Sequence, residues 1–408
     1  MDRGTVSVAA VALVALIQVI EWHYVLCLVG AVAGPVQNTR YRPNGSLCDI
    51  FVQPQGYACD ELRAQTSDGF ILGVQRMYSG TLNGTAGIPK KPVFLYHGLL
   101  SGGESWLLND RANCLPFLLA DAGYDVWIGN TRTTDFSHGH VFATRTDKQF
   151  WDWSTDDLVA HDLPTMLNLV HSSTNQTAHY IGFSQGTQVA VAGLIEGHLQ
   201  SMMDRVVLLA PVARVDSLSS ALGVAASLSL VDEIMLLAGI WEFNADLASG
   251  QKLLDMICGH AEAHCDGDFI SAFTGPNCCL NDSRRDYYEQ FETQSTATKN
   301  LAHFAQQYRT NSFSKYDYGF WGNLVRYRSF SPPEYDLRKF PQVPLLLIHG
   351  GNDGLADKED VELFVQSLTF SPQVLYFPDY GHLDFAVSYR ANSDVYHKIL
   401  DFLSPSTA

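Results

Sequence analysis

Six short apolar runs, separated by helix-length segments, constrain the fold of this chain most strongly. They occupy residues 92–98, 124–130, 179–184, 205–213, 343–351 and 374–382. Runs of this length, rich in β-branched, aromatic and leucine residues, predict strands that are buried on both faces. An antiparallel hairpin with an S-D-G turn is predicted before them, between Leu62 and Met77. The pattern therefore predicts an α/β fold, with a mostly parallel central sheet flanked by helices.

The regular spacing is interrupted once. After the run that ends at residue 213, the next begins only at residue 343, a far longer gap than a crossover helix requires. A leucine-rich stretch in this gap contains Asp232 and Glu233, which would be costly in lipid, so it predicts amphipathic helices rather than a membrane span. We expect an inserted, mainly helical cap or lid at 214–335, between two parts of one core domain at 34–213 and 336–408.

A candidate nucleophile lies in IGFSQG, residues 181–186, where Ser184 stands in the pattern G-x-S-x-G. This pattern suits a sharp strand-to-helix turn that exposes the serine hydroxyl. The hydroxyl needs a base and an orienting carboxylate. Asp353 and His382 each follow a predicted strand, in the chain order Ser, Asp, His of α/β-hydrolases. Asp357 and Asp360 instead fit the cap and first turn of a helix, so Ser184, Asp353 and His382 are the predicted triad.

An oxyanion formed during attack by Ser184 would need backbone N–H donors. Gln185 begins the helix after the serine and supplies one. The stretch HGLLSGG, which follows the first apolar run, resembles the oxyanion turns of lipases, and Leu99 is the predicted second donor. A glycine-rich turn without chemistry is the structural alternative.

The N-terminus has the architecture of a secretory signal peptide, with MDR, a long apolar run and A-V-A at 31–33. We predict a signal at 1–33 that is cleaved after Ala33, leaving no stable transmembrane span. Glu21 and His23 interrupt the run, and an uncleaved anchor is the alternative. Acceptor sites for N-glycosylation agree with passage through the secretory pathway, to an extracellular, lysosomal or vacuolar destination: Asn44, Asn83, Asn175 and Asn281.

Seven cysteines follow the predicted signal, an odd number that leaves one thiol free. A local bridge between Cys48 and Cys59 is predicted, with Cys114 as the buried free thiol in its apolar surroundings. The remaining four can pair among themselves in three ways: Cys258, Cys265, Cys278 and Cys279.

Composition and motifs exclude several functions. The net charge of −17 makes nucleic acid and anionic membrane surfaces poor partners. The glycine-rich stretches lack the spacing of phosphate-binding and dinucleotide-binding loops, so no cofactor is expected. In CGHAEAHC, residues 258–265, two histidines four apart could share a metal. Because its cysteines suit disulfides in a secretory chain, no metal is expected.

With these residues in place, the chain resembles the eukaryotic acid lipase family of gastric and lysosomal lipases and their plant relatives. The similarity runs through GYACDELRAQTSDGFILGVQRM, FLYHGLLSGGESW, AGYDVWIGNTR, FWDWSTDDLVAHDLPTML, HYIGFSQGT, GGNDGLADKEDV and YGHLDF. The resemblance implies an α/β-hydrolase core with a lid, a secreted or lysosome-like setting, and hydrolysis of water-insoluble esters such as triacylglycerols or sterol esters. Two positions depart from the family: Phe183 stands where histidine is usual, and Thr133 where glycine is usual.

The leading hypothesis is therefore a serine ester hydrolase that acts on neutral lipid esters at a lipid–water interface, in lipid catabolism. A short-chain carboxylesterase would use the same chemistry without the need for a large apolar lid. A non-catalytic binder of apolar ligands on a hydrolase scaffold is the alternative from another class.

Overall fold

A single eight-stranded sheet forms the centre of the protein in the computed structural model, which describes residues 44–78, 91–228, 230–245, 269–291 and 293–404. The strands are β1 (Ala58–Gln65), β2 (Ile71–Tyr78), β3 (Pro92–Tyr96), β4 (Asp125–Gly129), β5 (Ala178–Phe183), β6 (Met203–Leu209), β7 (Glu242–Phe243), β8 (Thr296–Ala297), β9 (Leu345–Gly350) and β10 (Gln373–Phe377). The sheet order is β1-β2-β4-β3-β5-β6-β9-β10, and β7 pairs with β8 in a separate two-stranded sheet.

The strand directions agree with the sequence prediction. Strands β1 and β2 form an antiparallel hairpin whose turn contains Gly69 with a φ of +104°, and β2 pairs antiparallel with β4. Every other pair in the large sheet is parallel. Each of the six apolar runs overlaps one of these strands, so the predicted mostly parallel sheet is confirmed.

Helices connect and cover the strands. They are α1 (Leu115–Asp121), α2 (Leu163–Thr174), α3 (Gln185–Glu196), α4 (Ala221–Leu228), α5 (Val231–Leu237), α6 (Phe269–Thr274), α7 (Arg285–Phe291), α8 (Thr298–Thr310), α9 (Gly319–Tyr327), α10 (Lys358–Ser367), α11 (Asp384–Val387) and α12 (His397–Leu403). A short turn of helix, Thr155–Asp157, leads through a π-helical segment, Leu158–Asp162, into α2.

Alternate residues of the central strands pack against helices on opposite faces of the sheet. Val93 and Leu95 belong to a core shared with α1 and α12, whereas Phe94 and Tyr96 belong to a core shared with α2 and α3. Strands β3, β4 and β5 are consequently buried along their whole length, as expected of parallel strands covered on both sides. The loops at their carboxyl ends meet at one edge of the sheet, where α/β folds place their sites.

The long segment between β6 and β9 contains helices α4 to α9 and the small β7–β8 sheet. Helix α8 packs against α4 and α5. Arg309 of α8 donates to both carboxylate oxygens of Asp232, at 3.1 and 3.0 Å, and to Glu233 at 3.3 Å. The acidic residues that interrupt the leucine-rich stretch are thus ion-pair partners. Among the described residues, no helix is both long enough and apolar enough to cross a membrane. The boundaries 214 and 335 of the cap stay a prediction.

Five of the seven cysteines that follow the predicted signal lie among the described residues. Cys48 and Cys59 form a disulfide, and Cys114 is free and buried, as predicted. Burial raises the pKa of the Cys114 thiol to about 12, so the thiol stays protonated and unreactive. Cys278 and Cys279 bond to each other. Cys258 and Cys265, together with the rest of CGHAEAHC, lie outside the described residues.

The predicted glycosylation sites differ in their surroundings. Asn44 and Asn175 are exposed. Asn281 is half-buried, and its side-chain nitrogen donates to Asp110 at 3.1 Å. Asn83 and the signal at 1–33 lie outside the described residues, and glycosylation at all four sites stays a prediction.

Candidate active site

Ser184 occupies the sharp turn between β5 and α3. Its φ of +52° and ψ of −119° lie outside the regions that L-residues ordinarily adopt. The flanking glycines permit this turn. An added Cβ on Gly182 would lie 2.9 Å from the carbonyl carbon of Gly186, and one on Gly186 would lie 2.5 Å from the carbonyl oxygen of Tyr96. The G-x-S-x-G pattern therefore forms a strained strand-to-helix elbow with the serine at its tip.

The three residues predicted as a triad meet in space. His382 Nε2 lies 2.8 Å from Ser184 Oγ, and His382 Nδ1 lies 2.9 Å from each carboxylate oxygen of Asp353. All three side chains are buried. Because the ionised carboxylate can only accept, Nδ1 carries the proton in this arrangement and Nε2 is free to accept from the serine hydroxyl.

The Asp353 carboxylate is held by its own loop, just beyond β9. Its Oδ1 accepts from the backbone N–H of Leu355 at 2.9 Å and of Ala356 at 2.8 Å. The two competing acids have other roles, in agreement with the sequence analysis. Asp357 caps the N-terminus of α10. Asp360 is buried in the first turn of that helix, where burial raises its pKa to about 6.

Asp384, two residues beyond His382, fixes the histidine loop, and the sequence analysis did not identify it. Its buried carboxylate accepts from the backbone N–H of Gly381 at 2.8 Å, Cys278 at 2.9 Å and Cys279 at 3.0 Å. Burial raises the pKa of Asp384, while these three bonds lower it. No spacing rule indicates an acid two residues after a candidate base, so only the fold reveals this contact.

A second set of bonds joins the same two loops. The backbone N–H of His382 donates to the Thr274 carbonyl at 3.3 Å, and that of Leu383 donates to Asn277 Oδ1 at 3.0 Å. The segment TGPNCC, residues 274–279, therefore holds the histidine loop from outside the sheet. The position of the candidate base depends on a segment more than a hundred residues earlier in the chain.

We expect Asp384→Asn to lower kcat on a soluble ester by about 100-fold with little change in KM. An amide retains one acceptor but directs an NH2 group towards backbone N–H donors, so the histidine loop should shift from Ser184. Steady-state kinetics, with the rate of Ser184 labelling by a fluorophosphonate, checks this. Asp379→Asn is the control, since Asp379 is exposed on the same loop. Equal labelling rates in Asp384→Asn and the parent would contradict the positioning role.

The candidate oxyanion loop lies directly against the nucleophile. A Cβ added to Gly98 would lie 2.9 Å from Ser184 Cβ and 3.4 Å from its Oγ. His97 fixes this loop: its Nδ1 donates to the Gly98 carbonyl at 2.8 Å, while its Nε2 accepts from the Thr131 N–H at 3.1 Å. Burial lowers the pKa of His97 to about 4. The ring therefore stays neutral, and both bonds persist, down to about pH 4.

Phe183, the first departure from the family, packs against the candidate base. Its ring centroid lies 5.0 Å from that of His382 and 6.3 Å from that of Trp106. Phe183 is buried, and a Cβ added to Gly98 would lie 3.3 Å from its ring. Phenylalanine thus forms an apolar wall beside the imidazole, at a position where histidine would bring polar nitrogen atoms.

Thr133, the second departure, ties the loop after β4 to the segment before β8. Its buried hydroxyl donates to the Ser295 carbonyl at 2.8 Å, a bond that glycine could not make. Gln294 of the same segment donates its N–H to the Leu100 carbonyl at 2.7 Å and accepts from the Asp135 N–H at 2.9 Å. The candidate oxyanion loop and the loop after β4 are therefore joined through residues 294 and 295.

Among the residues that the structure describes, two clusters each bring three potential metal ligands within 4.8 Å of one another. In the first, Cys278 and Cys279 share a disulfide, and Asp384 accepts backbone N–H bonds. In the second, Asp68 pairs with buried Arg132 at 2.8 Å and neighbours Asp157 and His161. Both clusters are accounted for by these protein contacts.

Comparison with known proteins identifies the family. Residues 91–389 match the family described as the alpha/beta hydrolase fold, and residues 49–110 match its partial lipase region. The chain is 39% identical over 362 residues to triacylglycerol lipase 1 of Arabidopsis thaliana, covering 88% of this chain and 91% of that protein. The chain belongs to the acid lipase family of α/β-hydrolases. This lipase is also 32% identical to human gastric triacylglycerol lipase, over 86% of this chain and 88% of that protein.

Solved structures agree with the fold of this acid lipase. A soluble variant of monoglyceride lipase from Saccharomyces cerevisiae, in complex with a substrate analog, superposes with a TM-score of 0.56 at 13% identity, covering 85% of this chain and 96% of that one. A structure described as an open-form lipase superposes with a TM-score of 0.52 at 16% identity, covering 85% and 98%. At these identities the comparison supports the α/β-hydrolase fold alone.

Proposed function

We propose that this protein hydrolyses neutral lipid esters, triacylglycerols or sterol esters, through Ser184, His382 and Asp353. The hydrogen-bonded chain from Asp353 through His382 to Ser184 Oγ is the observation that carries the proposal. Triacylglycerol lipases among the relatives support the substrate class.

The proposed reaction proceeds by acyl transfer. Ser184 Oγ attacks the ester carbonyl while His382 Nε2 takes its proton, and the Oγ–carbon bond forms. His382 then gives that proton to the alkoxide as the ester C–O bond breaks, releasing the alcohol. Water attacks the acyl-enzyme in the same manner and releases the fatty acid. Asp353 holds the proton-bearing Nδ1 and stabilises the imidazolium.

Backbone N–H groups of Leu99 and Gln185 are the proposed oxyanion donors. Gln185 opens helix α3 directly after Ser184, and Leu99 follows Gly98 beside the serine. Neither N–H donates to another described residue. Leu100 has a φ of +58°, a strained conformation typical of functional loops.

Two other functions would also fit this scaffold. A short-chain carboxylesterase would use the same triad on dissolved esters. An apolar-ligand binder would keep the scaffold without turnover.

Measuring the hydrolysis rate below and above the solubility limit of a substrate distinguishes these functions. We expect hydrolysis to rise once a triacylglycerol passes from solution into dispersed droplets, and a fluorophosphonate to label Ser184 of the folded protein. Labelling without this rise would favour the short-chain esterase. Folded protein that is neither labelled nor active would favour the binder.

We also propose passage through the secretory pathway, to the exterior, a lysosome or a vacuole. The Cys48–Cys59 disulfide supports this, because disulfides persist in oxidising compartments. N-terminal sequencing of the processed protein checks it: residue 34 is expected first, and a retained residue 1 would favour the uncleaved anchor.

A further inference from the structure

Helix α9 and the turn after it present an apolar surface to solvent. We call this surface the aromatic ridge; it comprises Phe320, Trp321, Leu324, Val325 and Phe330. Trp321 is 74% and Val325 83% exposed. A helix on a soluble protein ordinarily turns its apolar face inward. Helix α9 does the opposite, because it buries the polar Asn323 and exposes its apolar side chains.

Hydrogen bonds of the buried Asn323 side chain hold the ridge in this orientation. Asn323 Oδ1 accepts from the Tyr318 N–H at 2.9 Å, while its Nδ2 donates to Asp317 at 2.7 Å and to the Phe330 carbonyl at 3.2 Å. These bonds fix the turn after the helix, where the Phe330 ring stacks on Phe320 with centroids 4.4 Å apart. The ridge is therefore a surface fixed by hydrogen bonds and ring stacking, and not a frayed helix end.

The segment that forms the ridge differs in charge from the whole chain, with Asp317 and Asp156 in contact with its inner side. Residues 319–330 contain Arg326 and Arg328 and no acidic residue, whereas the chain has a net charge of −17. Both arginines are exposed. The overall charge opposes approach to an anionic surface. At physiological ionic strength, however, charges more than about 8 Å apart are largely screened, so local charge decides the contact.

The ridge is anchored beside the nucleophile elbow. The Tyr327 hydroxyl of α9 lies 3.4 Å from Asp156 Oδ2, in the short helix Thr155–Asp157. The neighbouring Thr155 hydroxyl accepts from Gln185 Nε2 at 3.2 Å, and Gln185 directly follows Ser184. A lipid surface in contact with α9 would therefore lie close to the elbow that carries Ser184.

We propose that the aromatic ridge docks the protein onto a lipid–water surface that carries ionised fatty carboxylates. The inference rests on the proposed function, because ester hydrolysis at an oil–water surface leaves carboxylates there. Exposed Trp and Phe side chains suit the boundary between hydrocarbon and water. Arg326 and Arg328 can pair with carboxylates at the edge of the ridge.

Vesicle binding by the Ser184→Ala protein tests the ridge without any hydrolysis. We expect it to bind phosphatidylcholine vesicles more tightly when about one lipid in five is oleate. Adding Trp321→Ser and Val325→Ser should weaken binding to oleate vesicles by about tenfold or more. Adding Arg328→Gln alone should weaken it about fivefold on oleate vesicles and leave phosphatidylcholine binding unchanged. Leu363→Ser is the control, an exposed apolar residue on α10.

Two results would overturn the docking role of the ridge. The first is undiminished vesicle binding by the protein that carries both Trp321→Ser and Val325→Ser, which we call the ridge variant. The second is a concentration-dependent dimer that the ridge substitutions abolish while vesicle binding persists, because the ridge would then bind a second copy of the chain. With Ser184 restored, the ridge variant should keep its activity on a soluble short-chain ester. If the proposed hydrolysis is wrong, only the assay on the soluble ester would show it. If the proposed docking is wrong, only the vesicle-binding assay would show it.

Discussion

Ser184→Ala should lower kcat by about 10⁵–10⁶-fold on both a soluble ester and a dispersed triacylglycerol. The substitution removes the hydroxyl oxygen that lies 2.8 Å from His382 Nε2 and that attacks the ester in the proposed acyl transfer. The proposed oxyanion donors, the N–H groups of Leu99 and Gln185, could then stabilise only a slow residual reaction. The measurement is the steady-state rate at saturating substrate.

The fold of the Ser184→Ala protein should be unchanged or slightly more stable. The backbone at position 184 is strained with either side chain, and alanine buries no polar group. Urea denaturation therefore shows whether the activity is lost while the fold is retained. Ser367→Ala, at the half-buried last residue of α10, is the matched control and should keep full activity. A Ser184→Ala protein that retains the parent rate would refute the assignment of the nucleophile.

The residues that the sequence analysis could place are those at the ends of predicted strands. Ser184 and His382 end apolar runs and Asp353 follows one, and parallel strands carry their carboxyl ends to one edge of the sheet. The chain order Ser, Asp, His then indicated which acid and which histidine meet the serine. Their convergence follows from strand direction, which the apolar runs predict well.

The residues that the sequence analysis missed act through contacts between distant segments. Asp384 accepts from Cys278 and Cys279, more than a hundred residues earlier, and no local pattern records such a contact. The aromatic ridge was missed for a different reason. The spacing of Phe320 and Leu324 indicates a helix face but not whether that face points inward. Asn323 settles this point, and its burial is visible only in three dimensions.

Asp353→Asn should lower kcat by about 10⁴-fold at neutral pH while the fold is retained. The Oδ1 atom of the introduced asparagine can still accept from the N–H groups of Leu355 and Ala356, which hold this side chain now. Its NH2 group would then face His382 Nδ1, which now lies 2.9 Å from both carboxylate oxygens. The ring would have to accept there and carry its proton on Nε2, so it could no longer take the proton of Ser184.

A matched control separates this tautomer effect from loss of charge in the loop. Asp357→Asn removes one negative charge four residues away, and asparagine is as good a helix cap as aspartate, so activity and stability should both be kept. Fluorophosphonate labelling of Ser184 should fall in parallel with kcat in Asp353→Asn, because both reactions need the free Nε2. If labelling stayed at the parent rate, Asp353 would not orient the base. The carboxylate would then be needed only for a later step, such as deacylation of the acyl-enzyme.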